Sequence, residues 1–171
     1  TTGEIASQHP HYAATFMVVL RRTQTLCTAL VHGAISPQIS LRGPSGPTIL
    51  DAECALYGDP AFDVAFCLHH FLLKAAHPGE PDAQRQLMQC FQALGEAWLR
   101  GAKWEPSAAL EARVATLLPC LLLARVDGKS PVEYLSEEAA SGVRNAACRL
   151  LEQQPLQLSH IRTFWTQEIC A

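Results

Sequence analysis

The sequence is short of charge, and this lack narrows its possible partners. Only 17% of its 171 residues are charged, and the formal net charge is −3. That gives no electrostatic case for binding nucleic acid or an anionic membrane. Apolar runs are short as well, because the longest, Leu117–Ala124, is interrupted by Pro119 and falls below the roughly 20 residues of a spanning helix. We therefore expect neither a nucleic-acid nor a membrane partner.

Signals for secretion and for paired thiols are also lacking. The first residues contain no basic segment followed by an apolar block, so the sequence predicts no signal peptide. No CxxC pair occurs, and the number of cysteines is odd. Most lie at apolar positions of predicted helices, which favours buried, reduced thiols in a cytoplasmic protein. The seven are Cys27, Cys54, Cys67, Cys90, Cys120, Cys148 and Cys170.

Histidines show no metal-binding spacing. Neither HxxxH nor HExxH is present, and the adjacent pair His69–His70 cannot share one helix face. The sequence therefore predicts no zinc site. It also contains no internal repeat and no low-complexity segment.

What the sequence does contain is a small β region near its start. Thr1–Pro10 is polar, and we expect it to be irregular or to form one helical turn. An amphipathic helix follows from His11. Ala29–Val31 is predicted as a strand, and Ile39–Leu41 and Thr48–Leu50 flank RGPSGP, which predicts a hairpin.

Helices are predicted for the rest. A helix opened by Pro60 is apolar nearly all round and should lie in the middle of the fold. Apolar spacing predicts further helices over Ala83–Arg100, from Pro106 with a kink or break at Pro119, from Ser136, and from Ser159 as a cap, with a polar loop at Arg125–Pro131. We predict a mainly α chain with a small β-hairpin region (α+β), as one domain over 1–171: a core over 1–76 and a helical region over 77–171.

One stretch, Leu30–Leu73, carries a spaced set of chemical groups. It has His32-Gly33 after a strand, Asp51 at the end of another, and the run Gly58-Asp59-Pro60-Ala61-Phe62-Asp63 before the central helix. In this spacing the chain resembles the aminoglycoside phosphotransferase family, small-molecule kinases with a protein-kinase-like fold. The segment RVDGKSPVEYL at 125–135 is similar to the C-terminal region of certain bacterial members.

The resemblance implies a fold and a reaction. The implied fold is the C-terminal lobe of a kinase-like protein, and the implied reaction is ATP- and Mg²⁺-dependent phosphorylation of a hydroxyl on a small molecule such as a sugar or aminoglycoside. The family's N-terminal nucleotide lobe has a Gly-rich loop and a strand lysine, and no GxGxxG or VAIK-like segment occurs here. We expect this lobe to be absent from the chain. A fragment, a truncated product and a complete isolated lobe all stay open.

The catalytic loop departs from the family pattern at its reacting positions. Ala34 stands where the resemblance implies the general base, Ile39 where it implies a metal-binding Asn, and Gln38 where relatives often have Lys. Ala cannot take a proton and Ile cannot bind a metal. Loss of a general base alone typically costs roughly 10²–10⁴-fold in rate. We therefore expect no intact catalytic residue and no cofactor for this chain.

The remaining loop residues have alternative interpretations. Asp51 and Glu53 are either a residual Mg²⁺ site or two solvated acids. His32 is predicted to pack beneath the loop rather than to catalyse, and Asp59 to form the turn before Pro60. By the resemblance, Asp63 is structural: it caps the central helix and holds the loop backbone.

A second polar segment, Arg125, Asp127 and Lys129, is either an acceptor-substrate contact or a solvated turn.

Three functions stay open for the chain. It is an inactive phosphotransferase-like domain, or an enzyme that another chain's nucleotide lobe completes, with Asp51 or Glu53 as base. The third is a binding module, most simply a homodimer, which uses an apolar surface exposed where the absent lobe would pack.

Overall fold

The computed structural model describes the backbone of residues 2–170 and the side chains of residues 5–170. A 3-10 turn, Pro10–Tyr12, separates the first two helices. The elements run in the order α1 (Thr2–Gln8), α2 (Ala13–Thr25), β1 (Ala29–Val31), β2 (Ser40–Gly43), β3 (Gly46–Ile49), β4 (Leu56–Gly58), α3 (Ala61–Ala75), α4 (Pro81–Gly101), α5 (Ser107–Val126), α6 (Glu137–Gln153) and α7 (Leu158–Glu168). The prediction of a mainly helical chain with a small β region is confirmed.

The strands form two separate antiparallel pairs. β2 and β3 make the predicted hairpin, in which Leu41 lies opposite Thr48. β1 pairs with β4, with Leu30 opposite Tyr57. The sequence predicted no strand over Leu56–Gly58, which forms β4. Its residues Leu56 and Tyr57 are both apolar and show no alternation, and its partner β1 lies far away in sequence.

Helix α3 is the centre of the fold, as its apolar surface predicts. Nine of its 15 residues are buried. It packs mainly against α4 and α5, and α5 packs in turn against α6. Trp165 of α7 is fully buried, and its indole N–H donates to the carbonyl oxygen of Leu72 at 3.1 Å. The apolar core thus extends from α3 to the last helix.

Helix α5 differs from its prediction in two ways. It is not divided at Pro119, which lies buried inside a continuous helix. Buried leucines on both sides of the proline hold the helix in one piece despite the lost backbone hydrogen bond. The helix is also long and apolar enough to span a membrane by composition, contrary to expectation, but eight of its residues are buried in the protein core. That burial is typical of a core helix.

At both ends of the chain the structure differs from the prediction made from the sequence. The segment from Thr2 is a helix rather than an irregular segment, because Ile5 is buried against the core; Thr1 lies outside the described residues. Ser159 does not cap α7, which begins one residue earlier at Leu158. The carboxylate of Glu111 on α5 accepts the backbone N–H of Leu158 at 2.9 Å and takes the place of a local cap.

Cysteines and histidines also depart from expectation. All seven thiols are unpaired, but none is fully buried: Cys27, Cys54 and Cys90 are exposed, and the other four are half-buried. His69 and His70 are both buried, with ring centroids 4.2 Å apart. This is possible because the protein core surrounds α3 on nearly every side.

Candidate functional site

The loop that follows β1 is fastened to the first turn of α3. The two carboxylate oxygens of Asp63 accept the backbone N–H groups of His32, at 2.6 Å, and Gly33, at 2.8 Å. An ionised acceptor makes such bonds stronger than neutral ones. Asp63 makes no capping bond with its own helix, whose first residue follows Pro60. Its carboxylate therefore serves the loop.

Gly33 occupies a position that no other residue suits. Its φ is +81°, and a Cβ placed there would lie 2.4 Å from the carbonyl oxygen of Cys54. The close approach brings the loop after β1 against the 3-10 turn Ala52–Cys54. The His-Gly pair thus fixes the backbone in a shape that depends on glycine.

The His32 ring is a structural tie. Its Nε2 lies 2.9 Å from the carbonyl oxygen of Leu50. Since a carbonyl only accepts, Nε2 carries the proton. Its Nδ1 is buried and has no hydrogen-bond partner among the described residues. The ring therefore links the loop after β1 to the residue that precedes Asp51.

The positions expected to react carry no reactive groups. Ala34 and Ile39 are half-buried and Gln38 is exposed. The backbone N–H of Leu50 donates to the carbonyl oxygen of Ile39 at 2.9 Å, which places position 39 beside the chain that leads into Asp51. The two positions that the resemblance assigns to metal binding are therefore neighbours. One of them holds a hydrocarbon side chain.

Asp51 and Glu53 are both exposed. Asp51 adopts a left-handed backbone conformation with φ of +65°, a region in which Asp is tolerated. Among the described residues, no group of three or more His, Cys, Asp or Glu side chains could hold a metal ion. Two solvated carboxylates without further ligands hold Mg²⁺ weakly, because that ion keeps most of its bound water molecules.

Asp59 is the buried acid of the site. Its Oδ1 accepts the backbone N–H of Ala61 at 3.0 Å, which shapes the start of α3. The Nε–H of Arg113 donates to the same carboxylate at 3.2 Å. The two terminal nitrogens of the guanidinium, Nη1 and Nη2, each donate to the carboxylate of Glu105 at 2.7 Å. The hydrogen bonds that Arg113 donates to Glu105 raise the pKa of Arg113 and lower the pKa of Glu105. Arg113 therefore binds both carboxylates, and its single positive charge balances one of their two negative charges.

Sequence reasoning missed Arg113. Its one signal was a charge among the apolar residues of α5, and nothing in the sequence connects it to an acid 54 positions away.

The three residues of the second predicted site, Arg125, Asp127 and Lys129, have different surroundings. Asp127 accepts three hydrogen bonds from Arg144 and lies 2.7 Å from Nε2 of His9. Burial alone would raise its pKa, but the bonds from Arg144 and His9 outweigh it and keep the pKa low. Arg125 lies in the last turn of α5 rather than in a loop, and Lys129 is exposed. The three side chains do not form one binding group.

Several large apolar side chains of the β region face solvent. The exposed fraction reaches 76% at Leu30. Exposed apolar side chains mark an interface where they form a continuous patch. The exposed side chains are those of Leu30, Leu41, Ile49, Leu50, Leu56 and Tyr57, which we call the β surface.

No protein-family model matches the chain, and no curated protein matches it.

Proposed function

We propose that this chain is a phosphotransferase-like domain with a kinase-like catalytic loop, and that the loop is retained as a structural element without phosphoryl-transfer activity. The contact between Asp63 and the backbone of His32 and Gly33 carries the proposal. It joins the His-Gly pair to the Gly-Asp-Pro-x-x-Asp run, which are the two motifs on which the resemblance depends.

The lack of activity follows from side-chain chemistry at two positions. Phosphoryl transfer depends on positioning and on charge neutralisation by metal ions. A base at position 34 would accept the proton of the substrate hydroxyl, and Ala34 cannot. A ligand at position 39 would help Asp51 to hold Mg²⁺ on the phosphates, and Ile39 cannot. Asp51 and Glu53 remain as the acids available to such a reaction.

A coupled assay of ADP release tests the proposal. The chain is incubated with ATP, Mg²⁺ and a panel of hydroxylated acceptors that includes sugars and aminoglycosides. We expect no acceptor-dependent ADP release above the rate without protein. Turnover that Asp51→Gly abolishes and that Glu80→Ala leaves unchanged would contradict the proposal. Gly suits the φ of +65° at position 51, and Glu80 is an exposed acid elsewhere in the chain.

The β surface favours a second candidate, an interaction module. Its apolar side chains lie on both strand pairs, and a second copy of this chain would remove them from water. Light scattering after size-exclusion chromatography measures the mass. We expect a dimer that Leu30→Lys converts to a monomer, whereas Leu156→Lys, at another exposed leucine, leaves it dimeric. A monomer at all concentrations contradicts this candidate and leaves the first untouched.

A further inference from the structure

A cavity of about 350 Å³ lies among α1, α2, α3 and α5. Its walls are almost wholly apolar, with Phe16 from α2, Phe62 and Phe66 from α3, and Leu117 and Leu121 from α5. The size falls within the range of small-molecule sites. None of the loop residues His32, Gly33, Asp51, Asp59 and Asp63 lines it, so the cavity is separate from the site described above.

One charged side chain, Arg125, is among the described residues that line this cavity. Its Nη1 donates to the carbonyl oxygen of Ser130 at 2.7 Å, and its Nε is buried and has no hydrogen-bond partner in the part of the chain that the structure describes. None of the ion pairs between described side chains includes Arg125. The guanidinium therefore has donors free for a ligand.

No ion pair between side chains of residues 5–170 neutralises this positive charge. The carboxylate of Asp127, two residues away, is taken by Arg144 and His9. His69 and His70 are buried close enough to feel the charge of Arg125, and the pKa of each is lowered, chiefly by burial, so both are neutral at pH 7. A half-buried cation beside an apolar cavity favours a ligand with an anionic end and an apolar body.

We propose that the cavity binds a medium-chain carboxylate, with its hydrocarbon chain between α2, α3 and α5 and its carboxylate on the guanidinium of Arg125. From Leu117 to Arg125 the helix rises about 12 Å, which suits an extended chain of this class. The aromatic rings of Phe62 and Phe66 cover the chain, and the planar guanidinium offers two parallel N–H donors to the carboxylate.

Calorimetric titration with three probes of equal chain length tests the proposal on the unaltered chain. The probes are octanoate, octanol and octyltrimethylammonium, each below its micelle concentration. We expect saturable binding of octanoate at least about tenfold tighter than that of octanol, as a charge-assisted hydrogen bond implies. The cation should bind most weakly. Equal affinity for the three probes, or saturable binding of none, would overturn the proposal.

Three variants locate the site. Arg125→Gln should weaken octanoate about tenfold and leave octanol nearly unchanged. Thr23→Leu, which fills the cavity from α2, should weaken both probes. Arg21→Gln removes an exposed charge from the same helix and should change neither. Octanoate binding that withstands both Arg125→Gln and Thr23→Leu would contradict this placement.

Discussion

The carboxylate of Asp63 accepts the backbone N–H of Gly33 at 2.8 Å, across 30 positions of sequence. With the companion bond from His32, this contact fixes the loop after β1 to the central helix. The shape of the loop thus depends on a carboxylate whose hydrogen bonds are to backbone N–H groups. Under the proposed function, this contact would keep the shape of the loop without phosphoryl-transfer chemistry.

Asp63→Ala should lower the free energy of unfolding by roughly 2–4 kcal/mol, because two half-buried backbone donors lose their acceptor. Asp82→Ala is the matched control, since Asp82 is exposed in the first turn of α4 and also lies near a helix N-terminus. Urea unfolding measures both. Similar small losses for the two variants would show that the loop contact contributes little.

Gly33→Ala should destabilise the chain by roughly 2 kcal/mol more than Gly46→Ala. Both glycines have positive φ, so both variants strain the backbone. Only at position 33 does the added Cβ meet a backbone carbonyl, that of Cys54, whereas nothing lies within 4 Å at Gly46. Thermal and urea unfolding compare the two, and equal losses would argue against the close approach of the loops.

Arg113→Ala should cost roughly 3–5 kcal/mol, because it leaves the carboxylate of Asp59 buried and unpaired. Arg100→Ala is the control: its pair with Glu96 spans 3.6 Å between exposed side chains, and its loss should cost about 0.5 kcal/mol or less. If Arg113→Ala lowered the free energy of unfolding as little as its control does, the result would show that water reaches the carboxylate of Asp59 in the variant.

Acid should destabilise the chain through His69 and His70. Burial, and the positive charges nearby, lower the pKa of His69 to about 3 and of His70 to about 4. Between those values and their ordinary 6.5, the unfolded chain binds protons that the folded chain does not, so the free energy of unfolding falls as pH falls. From pH 7 to pH 5 the loss is roughly 2 kcal/mol for each histidine.

Urea unfolding at pH 7 and pH 5 measures this effect as a difference. His70→Gln should reduce the pH-dependent loss by about half whatever its effect at pH 7. His11→Gln removes an exposed histidine and should leave the loss unchanged. An undiminished loss in His70→Gln would show that this histidine already takes up protons in the folded chain.

Local pattern predicted much of this fold. The hairpin over residues 40–49 follows from its glycines and prolines, and α4 follows from apolar residues repeating at three and four. Ser136 was predicted as a helix start, and its hydroxyl oxygen accepts the backbone N–H of Ala139 at 3.2 Å. Each depends on residues close together in the chain.

Long-range contacts could not be predicted from the sequence. The pairing of β1 with β4, the bond between Asp59 and Arg113, and the cap that Glu111 provides for α7 each join residues far apart in sequence. Pro119 was predicted to kink or divide its helix because local propensity disfavours proline there. The helix is not divided, because the buried residues around Pro119 override that preference. The Asp63 contact was expected only through the family resemblance.

The central claim is that Leu30–Leu73 keeps the backbone of a phosphoryl-transfer loop, whose base and metal ligand are lost at Ala34 and Ile39. Restoring the implied side chains tests this in the chain as it exists. The double variant Ala34→Asp/Ile39→Asn restores the implied base at position 34. It also gives position 39, beside the chain that leads into Asp51, an oxygen ligand of the kind that Mg²⁺ and Mn²⁺ prefer.

Titration with Mn²⁺, followed by electron paramagnetic resonance, measures the free metal directly. We predict no saturable site at millimolar metal in the unaltered chain and one site in the double variant, which Mg²⁺ displaces and a further Asp51→Gly removes. A double variant that gains no site would contradict the claim, and so would an unaltered chain that already binds one Mn²⁺ through Asp51.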